Sequence, residues 1–284
     1  MFFVILLALI AGCEDTKSDL SVTALTLQCD LTSRYTPRLE PVTSLATSGS
    51  PLATVIVVHG KNASPLDTHI QTLQSSLNVA EFDVVTPYMP WSGIIWHGTL
   101  CDSISYLNEL IASELLSGKY VILLGHSLGG SVVSAYAAME DTAKADAVSI
   151  VAPAHFIHQS STMAAVHASS LSRANTMVRN GLGHQTTVFD SYDLGNTINI
   201  STTADIYLSM NDTSQFPDIL STIPLAASPT LWLAGTEDSL TTTVKELGIY
   251  SAIPTSGPYY TYKEVSGDHF GVLSHVPAEL NLFF

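Results

Sequence analysis

Val121-Ile122-Leu123-Leu124-Gly125-His126-Ser127-Leu128-Gly129-Gly130-Ser131-Val132-Val133 is the stretch that decides the fold. Its first four residues are apolar without alternation, which marks a short strand buried on both faces. The Ala- and Val-rich run over 128–139 reads as a helix. Between them lies Gly125-His126-Ser127-Leu128-Gly129, the one G-x-S-x-G match in the chain. A strand that turns at once into a helix holds such a serine at a strained corner, with glycine wherever a Cβ would clash. The helix start, with its free N–H groups, then faces the hydroxyl. Ser127 is the candidate nucleophile.

The same rhythm runs outward from this stretch. Thr54-Val55-Ile56-Val57-Val58, Phe82-Asp83-Val84-Val85-Thr86, Ala147-Val148-Ser149-Ile150-Val151 and Thr230-Leu231-Trp232-Leu233-Ala234 are further short apolar runs, and 259–265 is a last one. Between them, 66–77 and 100–116 carry apolar residues at helical spacing. Alternating strand and helix predicts an α/β architecture with a doubly wound, mostly parallel sheet. Residues 155–225 break the rhythm; long, polar and partly helical, they read as an insertion over the strand ends, a lid. The globular domain is expected over 51–284. The Ser- and Thr-rich segment 13–50, with Pro37, Pro41 and Gly49, is expected to be a tether.

Hydrophobic residues make up 46% of the 284, enough for a large core, and 12% are charged. Ten Lys and Arg against 25 Asp and Glu give a net charge of −15, with no basic cluster. Binding to a nucleic-acid backbone needs cations that release counterions, so no nucleic-acid partner is expected. There is no H-E-x-x-H, no paired C-x-x-C and no phosphate-cradling G-x-x-x-x-G-K. His155 and His158 lack a nearby carboxylate set and read as polar lid residues. Neither a metal nor a cofactor is expected.

The apolar run over 2–10 is too short to span a bilayer and suits a signal-peptide core. It ends Ile10-Ala11-Gly12-Cys13, which resembles a bacterial lipobox, although no Lys or Arg precedes Lys17. That resemblance implies removal of 1–12, lipidation of Cys13 and attachment to a membrane of the bacterial cell envelope. An ordinary signal peptide would instead leave a periplasmic or secreted protein. Export leaves Cys29 and Cys101 as an even pair in a disulfide-permissive compartment, and a bridge between them is expected.

The glycine-rich corner at 125–130, with its flanking strand pattern, resembles the α/β-hydrolase superfamily from about residue 53 onward. His59-Gly60-Lys61-Asn62-Ala63-Ser64-Pro65, Met89-Pro90-Trp91-Ser92-Gly93 and Gly267-Asp268-His269-Phe270-Gly271 further resemble a poorly characterised group of exported bacterial members. In this superfamily nucleophile, acid and histidine follow one another along the chain. Of ten histidines, His269, after the last strand, is the candidate base, with His275 as runner-up. Gly235-Thr236-Glu237-Asp238 follows the preceding strand and offers two carboxylates; Asp238 fits the superfamily position better, with Glu237 as the alternative. The resemblance implies an oxyanion hole from the main-chain amides of Leu128 and Lys61, with His59 bracing the loop. Tyr88, Met89, Pro90, Trp91 and Trp96 either line a pocket or pack under the lid.

These readings lead to a serine hydrolase acting on a small ester through an acyl-enzyme. An amidase, peptidase or acyltransferase would use the same three side chains. A non-catalytic envelope binding protein of the same fold is the alternative from another class.

Overall fold

Strands whose side chains are buried on both sides need helices on both faces, and the chain supplies them. The computed structural model describes residues 29–31, 35–37, 39–154, 160–246, 253 and 260–283. The expected signal segment 1–12, Cys13, His155 and His158 lie outside the described residues. In chain order the elements are β1 (Val42–Ser44), β2 (Ala53–Val58), α1 (Thr68–Val79), β3 (Phe82–Thr86), α2 (Leu100–Leu116), β4 (Val121–His126), α3 (Leu128–Ala138) and β5 (Ala147–Val151). There follow α4 (Ser161–Arg179), β6 (Thr186–Asp193), β7 (Asn196–Thr203), α5 (Ala204–Asn211), α6 (Ile219–Thr222), β8 (Thr230–Gly235), α7 (Ser239–Glu246), β9 (Tyr260–Val265) and α8 (Val276–Phe283).

Seven strands form one sheet in the order β1-β3-β2-β4-β5-β8-β9, parallel except for β1. The pleat divides each apolar run between two cores. Val55, Val57, Ile122, Leu124, Leu231 and Leu233 meet Leu73 and Leu77 of α1 and Val276 and Leu280 of α8. Ile56, Val58, Leu123, Ile150 and Trp232 join Ile104 and Leu107 of α2 and Val132 and Tyr136 of α3. Helix α2 starts on a reciprocal cap. The Thr99 hydroxyl accepts from the Asp102 amide at 3.1 Å, and the Thr99 amide donates to the Asp102 carboxylate at 2.7 Å. No helix among the described residues is long and apolar enough to cross a membrane.

Two features depart from the sequence expectation. The end of the segment expected as a tether enters the sheet: Val42–Ser44 pairs antiparallel with β3, and the Ala46 amide donates to Asp83 at 2.9 Å. Three residues carry too short a pattern to announce a strand; the open edge of β3 recruits them. The insertion between β5 and β8 contains a hairpin, β6–β7, beside its helices. Phe189 pairs with Ile200, both fully buried, and the connecting residues Leu194 and Gly195 both have positive φ, 42° and 90°. A two-residue turn of this hand matches the twist of the strands it joins. The hairpin docks on residues 94–96: the Trp96 amide donates to Ser201 O at 3.0 Å and the Ser201 amide to Ile94 O at 2.9 Å.

A Cys29–Cys101 disulfide, with Cα atoms 5.1 Å apart, joins the segment preceding the sheet to the first turn of α2. It closes a loop of 72 residues. Cross-linking so long a loop lowers the entropy of the unfolded chain. The double Cys29→Ser, Cys101→Ser variant is therefore expected to lose about 2–4 kcal/mol of unfolding free energy. Urea denaturation of the oxidised protein and the variant checks this; coincident curves would show that the bridge constrains nothing.

Candidate active site

The chain runs from β2 outward to β3 and then returns across β2 to β4, so consecutive connections diverge at the carboxyl ends of β2 and β4. Open α/β sheets bind ligands in the crevice at such a reversal. The turns after both strands, 59–63 and 125–130, meet there.

The first turn of α3 presses directly on the sheet. A Cβ on Gly129 would lie 2.2 Å from Val58 O, and one on Gly125 would lie 2.3 Å from Gly129 O. Both contacts are with backbone and cannot yield, so only glycine fits at either end of the motif. Ser127 between them takes φ 58° and ψ −124°, a conformation that costs a non-glycine residue about 1–3 kcal/mol. Its surroundings hold it: the Ser127 amide donates to Val151 O at 3.1 Å, and its carbonyl accepts from the amides of Gly130 at 2.9 Å and Ala154 at 3.1 Å. The Ser127 side chain lies against Gly60, where an added Cβ would come within 2.9 Å of Ser127 Cβ.

The loop after β2 is braced from behind. Gly60 O accepts from the His59 Nδ1–H at 2.9 Å and from the Trp91 indole N–H at 3.0 Å. Because a carbonyl can only accept, the proton of His59 sits on Nδ1. Its Nε2 then accepts from the Ser92 hydroxyl at 2.8 Å and the Met89 amide at 3.4 Å. Burial pushes this imidazole down to about 4 against the smaller pull of its Gly60 bond, so it stays neutral. With Gly60 O held there, the planar trans peptide turns the Lys61 N–H to the opposite side. Among the described residues neither the Lys61 nor the Leu128 amide has a backbone acceptor. Trp91 and Trp96 are buried; Trp96 donates to Asn62 Oδ1 at 2.9 Å, so these two aromatics support the loop and do not line either cavity beside Ser127.

His269 Nδ1 and Asp238 Oδ2 are 2.8 Å apart, both side chains buried. Asp238 also accepts the Leu240 amide at 2.9 Å at the start of α7, where partial positive charge favours a carboxylate. Glu237 is exposed, and His275 Nε2 lies 3.3 Å from the Ser266 hydroxyl, away from both carboxylates. With Nδ1–H given to Asp238, His269 Nε2 is left as an acceptor; it is buried and, among the described residues, without a hydrogen-bond partner. His126 Nε2–H donates to His269 O at 2.8 Å, fixing the backbone of the loop that carries the imidazole. Burial, and then the proximity of His269, hold His126 well below the usual histidine range.

Two cavities flank Ser127. A narrow one of about 20 Å³ is lined by Leu128, Met163, His167, Tyr192 and Leu240. A wider one of about 240 Å³ is lined by His69, His126, His269 and Phe270. Lys61, Asp193 and Leu194 border both, so the tip of the β6–β7 hairpin overhangs the serine. Ser127, His269, Lys61, Leu128 and Asp238 thus gather at one edge of the sheet, the first four around these cavities or behind them and Asp238 through His269. Asp193 stands in no catalytic motif of the sequence. Its signal was present as a turn-forming Leu194-Gly195 pair between two alternating runs.

The buried neutral state of His59 has a measurable consequence. The unfolded chain takes up a proton at this residue below about 6.5, the folded chain only near 4. Stability carried by the neutral imidazole is thus present above the higher value and lost as pH falls between the two. The unfolding free energy is expected to drop by about 2 kcal/mol from this group between pH 7 and 5, with His126 acting in the same direction. Urea titrations at the two pH values test it, and an unchanged midpoint would contradict the assignment.

A family model described as serine aminopeptidase, S33, matches residues 98–266. No curated protein matches the sequence. Among solved structures, Est1E from Butyrivibrio proteoclasticus, with ferulic acid bound, is 16% identical with a TM-score of 0.58, over 86% of this chain and 94% of that one. A monoacylglycerol lipase of Paleococcus ferrophilus is 19% identical with a TM-score of 0.57, over 81% and 91%. The esterase domain of a Rhodothermus marinus protein is 15% identical with a TM-score of 0.57, over 86% and 90%. At such identities these likenesses establish a shared fold.

Proposed function

The chain belongs to the α/β-hydrolase family described as serine aminopeptidase, S33, and from that premise we propose that it cleaves a carboxylic ester through an acyl-enzyme on Ser127. One observation carries the reading: the imidazole of His269 gives Nδ1 to a buried carboxylate and leaves Nε2 unpaired behind a cavity that a strained serine shares. A serine hydroxyl is a poor nucleophile near neutral pH, so a base must take its proton as it attacks. His269 Nε2 takes that proton, the Ser127 Oγ–carbon bond forms, and the amides of Lys61 and Leu128 receive the oxyanion. The alkoxy–carbon bond then breaks, with the proton passing from His269 to the leaving oxygen. Water repeats the sequence and releases the acid. Asp238 keeps the proton on Nδ1 and stabilises the imidazolium.

The lipase and esterase names of two of the fold neighbours favour an ester over an amide. The wider cavity, about 240 Å³, has room for a small ester, whereas the narrow one of about 20 Å³ holds little more than a water. Turnover of p-nitrophenyl esters from acetyl to dodecanoyl, with matching anilides, tests the reading. Ser127→Ala is expected to abolish turnover with the fold intact, and Asp238→Asn to lower kcat by up to ~10⁴-fold. Wild-type turnover by Ser127→Ala would end the proposal, and a preference for anilides or for long chains would revise the substrate.

The address is proposed on sequence grounds: the apolar run before Cys13 suits export and lipidation, and the disulfide suits an oxidising compartment. Expressed in a bacterium, the protein is expected in the membrane fraction and to incorporate labelled palmitate, and Cys13→Ala is expected to lose both. Membrane association unchanged by that substitution would rule the anchor out.

A further inference from the structure

The side chain of Lys61 has no part in the chemistry above, which uses only its amide, yet among the described residues it is the one cation bordering both cavities. Its Nζ donates to Ser191 Oγ at 3.1 Å and to Tyr192 O at 2.8 Å. Both acceptors lie at the end of β6, in the hairpin whose tip overhangs Ser127. The backbone of the same residue belongs to the loop whose peptide is held from behind by His59 and Trp91. One residue therefore touches two structures separated by about half the chain: the amide beside the nucleophile and the cap above it.

We propose that Lys61 is a positioning residue whose ammonium clasps the β6–β7 hairpin to the oxyanion loop, so that the Lys61 amide is fixed for the transition state only while the hairpin is seated. This rests on the ester-hydrolase reading of the site. Loop and hairpin already meet on their far side at Trp96, whose indole donates to Asn62 Oδ1 and whose amide donates to Ser201 O; Trp91 braces the loop further, and His167 Nε2 braces the hairpin by accepting the Tyr192 amide at 3.2 Å. The Lys61 side chain adds a second tie between them, on the cavity side and next to the turn that overhangs Ser127. A single oxyanion donor is worth ~10²–10³ in kcat when it is removed outright, so loosening one is expected to cost less.

Burial pushes the Lys61 ammonium down to about 8, with Asp193 opposing the shift. The charged form makes the stronger hydrogen bonds, so the clasp weakens as pH rises through that value. The other titratable groups on the two cavities are Asp193 and Tyr192 from the hairpin, His167 from α4, Asp67 and His69 before and within α1, His126 before the nucleophile and His269 after β9. An alkaline decline that belongs to Lys61 must vanish on substitution at 61 and persist on substitution at the others, moving to lower pH when Asp193, which acts on Lys61 itself, is neutralised.

The test is the pH dependence of kcat and KM, on the preferred ester, for wild type, Lys61→Met, Lys61→Arg and Ser191→Ala. Lys61→Met is expected to lower kcat by ~10–100-fold with KM within about threefold, since an interaction made only in the transition state lowers kcat and kcat/KM together. The wild-type decline above about pH 8 is expected to vanish in Lys61→Met, and in Lys61→Arg to move beyond the measurable range, because guanidinium keeps its charge. Ser191→Ala, which leaves the loop untouched, is expected to lower kcat several-fold at steady KM. If Lys61→Met does not fold, the Arg and Ser191 variants decide. Wild-type kcat in Lys61→Met, an alkaline limb unchanged in Lys61→Arg, or a pure KM effect in Ser191→Ala overturns the clasp. Should Ser127→Ala also retain turnover, the reading of the site falls with it; should Ser127→Ala be silent, the clasp alone falls.

Discussion

The approach of α3 to the ends of β2 and β4 is the contact on which the site depends. Backbone meets backbone there with no room for a Cβ at Gly125 or Gly129. That closeness puts Ser127 at the lip of the sheet, in a conformation it would not choose, and brings Gly60 against its side chain. A methyl group at Gly129 would have to push the helix away from Val58 O, and the serine would move with it. Strain at one residue is thus held by the surrounding hydrogen bonds and by the burial of α3, whose residues 128–137 are all shielded from solvent.

Around that contact, histidines divide the labour by environment. His59 and His126 are buried and kept neutral, and each spends a ring N–H on a main-chain carbonyl, Gly60 O and His269 O. They orient the loops that carry the Lys61 amide and the His269 imidazole. His269 faces a carboxylate instead and keeps its second nitrogen open. The same side chain serves as a brace where its acceptor is a carbonyl and as a candidate base where its partner is Asp238. A carboxylate can stabilise an imidazolium, and a neutral carbonyl does so far less.

The cap is built to overhang this arrangement. The β6–β7 turn carries Leu194 in a left-handed conformation, and its Asp193 carboxyl lies between the two cavities, pushed up by burial and drawn back down by Lys61 and His269. Asp193 and Lys61 set opposite charges side by side on the lip next to Ser127.

By itself the sequence determined the architecture. Continuous apolar runs can only be satisfied by a sheet covered on both faces, and the glycines of 125–129 admit only a tight strand-to-helix corner. Order along the chain, with the superfamily resemblance, narrowed the candidate base to His269 or His275 and the candidate acid to Asp238 or Glu237. Tertiary structure alone decided which carboxylate faces the imidazole, because neighbouring residues point in opposite directions and the start of α7 turns Asp238 inward. It also decided that Trp91 and Trp96 brace a loop, that Val42–Ser44 completes a sheet edge, and that a hairpin caps the serine. Each of these is a contact between segments far apart in sequence, set by strand order and helix approach, which no local periodicity records.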